Sequence, residues 1–193
     1  MKLNARELRE VPEHLIADQL KKIKRRPIYF ILENVYDTYN IGGLFRLADA
    51  LAIEKMYLCG QMETPPNPRI KKASIGTYKV VPWEYRRSSA EAIEELKRVT
   101  HNVQRPGKSQ TLHATRYTLQ VIAVEQDKRA IRYEKADYSM PIALVLGNET
   151  YGVTQETLKL CDQIVEIPMW GINKSLNVIV SAAIVAYWAA TKA

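Results

Sequence analysis

Short, unbroken apolar runs alternate along this chain with stretches whose apolar residues recur at helical spacing. The runs IYFIL (28 to 32), MYLCG (56 to 60), YKVVPW (78 to 83), VIAVEQ (121 to 126), IALVLG (142 to 147) and QIVEIPM (163 to 169) predict strands. Several are apolar throughout rather than at every second position, which predicts a parallel sheet with helices on both faces. Helices are predicted from about Ile41 to Ala52, over SAEAIEELKRV after Ser88, over TQETLKL (154 to 160), and through the apolar residues that follow Ser175, which is placed as an N-cap. Residues 4 to 26 read as helical, with Asn4 and Glu7 spaced as a capping pair and Pro12 interrupting the regular part. The segment QMETPPNPRIKK (61 to 72) predicts a loop, and residues 101 to 119 show only a weak alternation. The expected organisation is an N-terminal helical extension, residues 1–27, followed by one α/β domain, residues 28–193.

Composition narrows the function classes. With 47% hydrophobic and 25% charged residues the chain reads as an ordinary globular protein rather than a disordered one. A net charge of +7 favours an anionic partner, nucleic acid foremost. The cluster Lys21, Lys22, Lys24, Arg25 and Arg26 reads either as a solvated face or as a contact to RNA phosphates. Cys59 and Cys161 have no neighbours at metal-ligand spacing, so no metal site is expected, and two thiols suit a reducing cytoplasm. The N-terminus MKLNARELRE has no apolar signal core, and residues 178 to 190 are fewer than the roughly 18 to 20 a membrane span needs. His14, His101 and His113 fall in no motif, and Trp83 and Trp170 read as packing residues.

In parallel α/β sheets, ligands bind beyond the carboxyl ends of the strands, where loops 33 to 43, 147 to 153 and 168 to 176 all fall. Each carries a candidate constellation. In ENVYDTYNIGGLFRLADA, Leu44, Leu47, Ala48 and Leu51 form the core stripe and leave Arg46 on the opposite face. Arg46 leaning over Gly42 and Gly43 at a helix start resembles a seat for phosphate; the bland alternative makes Asn40 an N-cap and Arg46 a surface residue. In LVLGNETYGV, Gly147 permits close approach to the backbone, while Glu149 is either a solvated turn residue or a group that binds an arginine. In IPMWGINKSLNV the polar residues Asn173, Ser175 and Asn177 lie at an apolar strand-to-helix junction, where buried polar groups need the backbone or a ligand as partners.

Together, N-x-G-x-x-x-R (Asn40, Gly42, Arg46), L-G-N-E-x-x-G (Leu146 to Gly152) and I-P-M-x-G-x-x-x-S-L-N-V (Ile167 to Val178) resemble the three ordered motifs of the SpoU/TrmH family. These are RNA ribose 2'-O-methyltransferases of the SPOUT superfamily. The resemblance implies a SPOUT-type fold with a C-terminal trefoil knot and a homodimer whose interface completes the active site. It further implies that S-adenosylmethionine is bound by Leu146, Gly147, Ile167, Met169, Ser175, Leu176 and Asn177. Arg46 and Asn40 would act on the ribose, and Glu149, Ser175 and Asn177 would arrange the site. With only about 27 residues before the first strand, where family members acting on large ribosomal RNA often carry a further domain, transfer RNA is favoured over ribosomal RNA. A non-catalytic RNA-binding protein of the same fold is disfavoured, since Asn40, Arg46, Glu149, Ser175 and Asn177 are all intact. A dehydrogenase or P-loop NTPase lacks both glycine-rich fingerprints.

Overall fold

The computed structural model describes residues 2–12, 16, 20–101 and 118–192. In chain order these form α1 (Ala5–Glu10), β1 (Arg26–Glu33), α2 (Thr38–Ala50), β2 (Ile53–Cys59), α3 (Pro68–Ser74), β3 (Trp83–Arg86), α4 (Ser89–His101), β4 (Gln120–Val124), β5 (Ile131–Arg132), β6 (Ile142–Leu146), α5 (Gln155–Leu158), β7 (Gln163–Glu166) and α6 (Val178–Thr191). The sheet order is β3-β2-β1-β6-β4-β7-β5, and its pairings are parallel, as the unbroken apolar runs predict. Because β6 lies between β1 and β4, the carboxyl ends of β1, β6, β4 and β7 stand side by side.

Side-chain alternation divides the interior into two layers. Ile28, Phe30 and Leu32 of β1 pack on one face with Ile41, Leu44, Phe45 and Ala48 of α2, Ile70 of α3, and Ala182, Val185, Ala186 and Ala189 of α6. Ile31, one register step away, joins Ala92, Ile93 and Leu96 of α4 and Leu158 of α5 on the other. The N-terminal segment is docked rather than separate. Leu8 and Ile16 enter the first layer, and Lys79 Nζ donates to the carbonyls of Arg9 and Val11.

Several boundaries depart from the sequence reading. The Asn4–Glu7 capping box is present, but α1 ends at Glu10, and residues 13–15 and 17–19 of the expected first helix lie outside the described set. YKVVPW is not a strand. Thr77–Lys79 form a 3-10 turn, Val80 and Val81 are buried, and the ladder begins where the Pro82 carbonyl accepts from Met56 N at 2.9 Å. The proline-rich loop contains α3, where Asn67 caps the backbone N–H groups of Arg69 and Ile70 and Pro68 opens the first turn. The two-residue strand β5 has no sequence signal of its own. Residues 102–117 lie outside the described set, as do His14 and His113.

Part of the basic cluster has a structural task. Arg25 donates to the carbonyls of Ile53 at 3.0 Å and Val80 at 2.7 Å, and Arg26 donates to that of Ala190 at 3.2 Å. Both sit at the amino end of β1, so they tie the sheet to its surroundings at the end remote from the carboxyl-side loops. Burial acts first on Arg25 and lowers its pKa, against the raising effect of Glu54 and Asp49. Trp83 packs edge-on against Phe45, with ring centroids 6.3 Å apart, as the packing reading expects. Trp170 instead is 88% exposed.

Gly42 lies where α2 crosses α3. A Cβ there would fall 2.8 Å from Ser74 N and collide with the Ala73 side chain, whereas one at Gly43 would meet only the flexible end of Ile179. Gly42→Val is therefore expected to destabilise the fold by about 1 to 3 kcal/mol through overpacking, while Gly43→Ala stays within about 1 kcal/mol. Chemical denaturation of the two variants checks the contrast.

Candidate active site

A short chain of side-chain hydrogen bonds joins three loops from separate strand ends. Glu149, in the loop after β6, accepts from the backbone N–H groups of Tyr36 and Asp37, both at 3.2 Å, and from Asn40 Nδ2 at 2.9 Å. Asn177 Nδ2 donates to Asn40 Oδ1 at 2.9 Å, and Asn177 Oδ1 accepts from Ile179 N at 2.8 Å. The last bond makes Asn177 the N-cap of α6, the place expected for Ser175. Ser175 lies two residues earlier, exposed, with its N–H donated to Asn173 Oδ1 at 3.2 Å. Asn40 is no N-cap either. Asp37 caps α2, which begins at Thr38, leaving Asn40 inside the first turn with its amide turned to the cleft.

Burial alone would raise the Glu149 carboxyl, but the Asn40 amide and the N–H donors of Tyr36 and Asp37 outweigh it and hold it below its ordinary value. Glu149 therefore serves as an anionic clamp on the 36–37 turn rather than as a proton donor at neutral pH.

These groups border a cleft of about 830 Å³ at the carboxyl ends of β1, β4, β6 and β7. Leu146, Gly147, Ile167, Met169, Ser175, Leu176 and Asn177 all line it, as do Asn40 and Glu149. Its lining mixes apolar side chains, Leu146, Val165, Ile167, Met169 and Leu176, with the polar Glu125, Gln126, Asn148 and Ser181. Such a mixed lining suits a ligand with a flat apolar part and a charged tail. The backbone N–H and C=O groups of Ile167 and Met169 make no hydrogen bond among the described residues.

Close packing adds to one expectation and overturns another. The glycine after β6 is required first by its own loop, since a Cβ on Gly147 would collide with the backbone of Gly152 and Val153. The phosphate seat over Gly42 and Gly43 is not formed: both glycines lie inside α2 and face α3 and Ile179 rather than open space. The polar junction 170–177 is exposed, not buried, so water can serve its polar groups where the cleft does not. Arg46 is exposed on the outer face of α2, about 9 Å along the helix axis from Asn40 by rise alone, and does not line the cleft of its own chain.

Residues the sequence reading passed over complete the scaffold. Asn148 Nδ2 donates to the Asn34 carbonyl at 2.7 Å, while its Oδ1 accepts from Thr150 N and Tyr151 N. Glu125 Oε2 accepts from Val153 N at 2.8 Å, and Gln126 Nε2 donates to the Lys174 carbonyl. Buried Glu33 receives Thr154 N at 2.9 Å and both Thr154 and Thr157 hydroxyls. The acid-plus-asparagine richness of the strand ends was the available signal, but it does not pair partners over a hundred positions apart. Burial pushes the thiols of Cys59 and Cys161 up to about 12, so neither is a thiolate nucleophile at neutral pH.

Residues 27–187 match the SpoU rRNA Methylase family. The chain belongs to that family. Among its relatives is a tRNA (guanosine(18)-2'-O)-methyltransferase of Thermus thermophilus, 29% identical over 94% of this chain and 83% of the relative. Another is the 23S rRNA (guanosine-2'-O-)-methyltransferase RlmB of Neisseria meningitidis, 26% identical over 88% of this chain and 60% of the relative. In fold, this SpoU chain is similar to the SpoU methyltransferase AviRb of Streptomyces viridochromogenes, solved in complex with AdoMet. That likeness has a TM-score of 0.73 and 22% identity, covering 91% of this chain and 63% of that one. It is also similar to the A. aeolicus TrmH/SpoU tRNA modifying enzyme, with a TM-score of 0.72, 23% identity and coverage of 92% and 84%.

The depressed Glu149 carboxyl ties stability of this SpoU domain to pH. Its contribution is fully present above the unfolded value of about 4.3 and is lost as pH falls through the lower folded value. Glu149→Gln should therefore be less stable than the unaltered chain at pH 7, and the gap should narrow below about pH 4.3. Urea denaturation across that range measures it; a gap independent of pH would contradict the clamp.

Proposed function

We propose that this chain, an RNA 2'-O-ribose methyltransferase of the SpoU family, uses S-adenosylmethionine to methylate the 2'-hydroxyl of a guanosine in transfer RNA. The observation that carries the reading is the meeting of Leu146, Gly147, Ile167, Met169 and Leu176 in one cleft beside the Asn40–Glu149–Asn177 chain. The residues fit the cofactor: the apolar lining and the backbone of Ile167 and Met169, without hydrogen bonds among the described residues, suit an adenine edge, and Glu125 and Gln126 line the same cleft for polar groups. Bound there, S-adenosylmethionine supplies an electrophilic methyl group on a sulfonium.

The protein's own contribution is placement, which can supply much of the rate in a transfer between two held groups. Asn40 and Glu149 fix the 36–37 turn, Asn177 fixes the start of α6, and Ser175 borders the cleft where the ribose enters. A guanidinium presents five N–H donors in a planar fork and no acceptor, so Arg46 is suited to gripping an anion rather than to taking a proton. In this reading it grips a phosphate and stabilises the developing alkoxide, while the hydroxyl proton leaves to phosphate or water.

Arg46 reaches a cleft through a second copy of the chain. In support of a homodimer, α6 leaves Val180 and Tyr187 46% and 50% exposed, and it packs beside α2, the helix that carries Arg46. The trefoil knot is proposed for the C-terminal part, where Gly152 presses on Glu125 and Gln126 bonds to Lys174. Transfer RNA is supported by the Thermus thermophilus relative and by one from Escherichia coli named for the same activity, 28% identical over 85% of this chain. A cytoplasmic setting rests on two free cysteines; among the described residues no helix is long and apolar enough to cross a membrane.

Calorimetry is expected to show micromolar binding of S-adenosylhomocysteine to the unaltered chain and to Arg46→Ala alike. Methyl transfer to unmodified tRNA transcripts should fall by about 10² or more in Arg46→Ala, and Arg46→Lys should not restore it. Mixed dimers of Arg46→Ala with Asn177→Ala should regain activity over either parent. Failure of the mixture to regain it would overturn the shared site, and transfer to ribosomal RNA alone would overturn the substrate.

A further inference from the structure

A second hollow of about 500 Å³ lies on the other side of the Tyr36–Asp37 turn, between the starts of α2 and α3. Tyr36, Asp37, Thr38 and Tyr39 form one wall, and Glu63, Asn67, Pro68 and Arg69 form the other. Tyr36 and Asp37 line both concavities. The partition is therefore the same turn whose N–H groups Glu149 holds. A nucleotide whose ribose sits at the methyl-transfer cleft has its base one glycosidic bond away, within reach of a hollow that shares the Tyr36–Asp37 turn with that cleft.

The chemistry of the second hollow suits a nucleobase. Tyr36 and Tyr39 are large rings left 52% and 56% exposed at its mouth, as stacking surfaces for a base would be. Glu63 is an acceptor-only group. Asn67 Nδ2 donates to its Oε2 at 3.2 Å while Asn67 Oδ1 is committed to capping α3, so the carboxylate is steadied from behind. Among the bases, guanine alone offers two adjacent donors, N1–H and the 2-amino group, to a carboxylate. Adenine and cytosine place a ring acceptor beside their single amino donor, and uracil flanks one N–H with two carbonyls. Arg69, exposed on the same wall, has the donor fork that guanine O6 and N7, or the adjoining phosphate, accept.

Building on the methyltransferase reading, we propose that this hollow holds the target base and that Glu63 selects guanine by accepting from its N1–H and 2-amino group, with Tyr36 and Tyr39 stacking on it. Glu63 is in this account a specificity residue that takes no part in methyl transfer.

The test uses the full chain, unmodified tRNA transcripts and labelled S-adenosylmethionine, with products identified as nucleosides after digestion. The unaltered chain should yield 2'-O-methylguanosine. Its kcat/KM should fall roughly tenfold or more when the methylated guanosine is replaced by inosine, which lacks the 2-amino group. Glu63→Gln should shrink that guanosine-to-inosine ratio severalfold, and Tyr39→Ala should lower kcat/KM by about tenfold on both substrates. Affinity for S-adenosylhomocysteine should be unchanged in both variants, showing that the neighbouring cleft is intact. An unchanged ratio in Glu63→Gln overturns this inference and leaves the proposed function standing, whereas a methylated nucleoside other than guanosine overturns both this inference and guanosine as the target and leaves only the RNA 2'-O-methyltransferase activity. Absence of both cofactor binding and transfer in the unaltered chain overturns the two together.

Discussion

Glu149 is held by two backbone N–H groups and the Asn40 amide, and through Asn40 it is linked to Asn177, so one carboxylate fixes the mutual position of the loops after β1, β6 and β7. None of these loops is stiff by composition. Each gains a defined shape because a side chain of one satisfies the backbone or amide of another, and an unpaired partner at such a junction is costly. The depressed carboxyl follows from the same bonds, since three donors favour its charged form. Any ligand in the cleft meets groups already in place rather than groups it must order.

Close backbone packing supplies the second constraint. Gly147, Gly152 and Gly42 are not placed for a ligand's convenience alone. A side chain at the first would strike the loop's own return, at the second the Glu125 carboxylate, and at the third the neighbouring helix. Gly152 also has a φ of +67°, which favours glycine. The loop after β6 folds tightly enough to bring Asn148 opposite Gly152, and Val153 N then reaches Glu125. The cleft wall is thus built from loops that press on one another.

Arg46 lies on the exposed face of α2. Core-facing residues of α2 set its azimuth, and that azimuth points it away from the sheet and from its own cleft. The same turn that Glu149 clamps separates the methyl-transfer cleft from the hollow beside Glu63 and Arg69. In the proposed reading, sugar and base positions are coupled by this one turn, and selection of the base does not require a residue at the reacting atoms.

Hydrophobic order along the chain determined the fold class. Runs such as IALVL and VIAV are apolar on both faces, and only a parallel sheet with helices on each side buries both. The motif residues were equally legible, because three ordered patterns identify the family and hence the lining at Gly147, Ile167 and Leu176. Local boundaries were less so. Pro82 shifted a strand downstream, and an Asn-Pro helix start was hidden among prolines, because capping depends on backbone geometry that composition does not report. Tertiary structure alone decided that Asn177, not Ser175, caps α6, that Arg25 grips carbonyls rather than solvent, and that Gly42 serves helix packing. It also paired Glu149 with Asn40, 109 positions apart. Sequence periodicity fixes which face of an element is apolar; which polar groups meet depends on how distant elements are stacked, and only the folded chain brings them within hydrogen-bond reach.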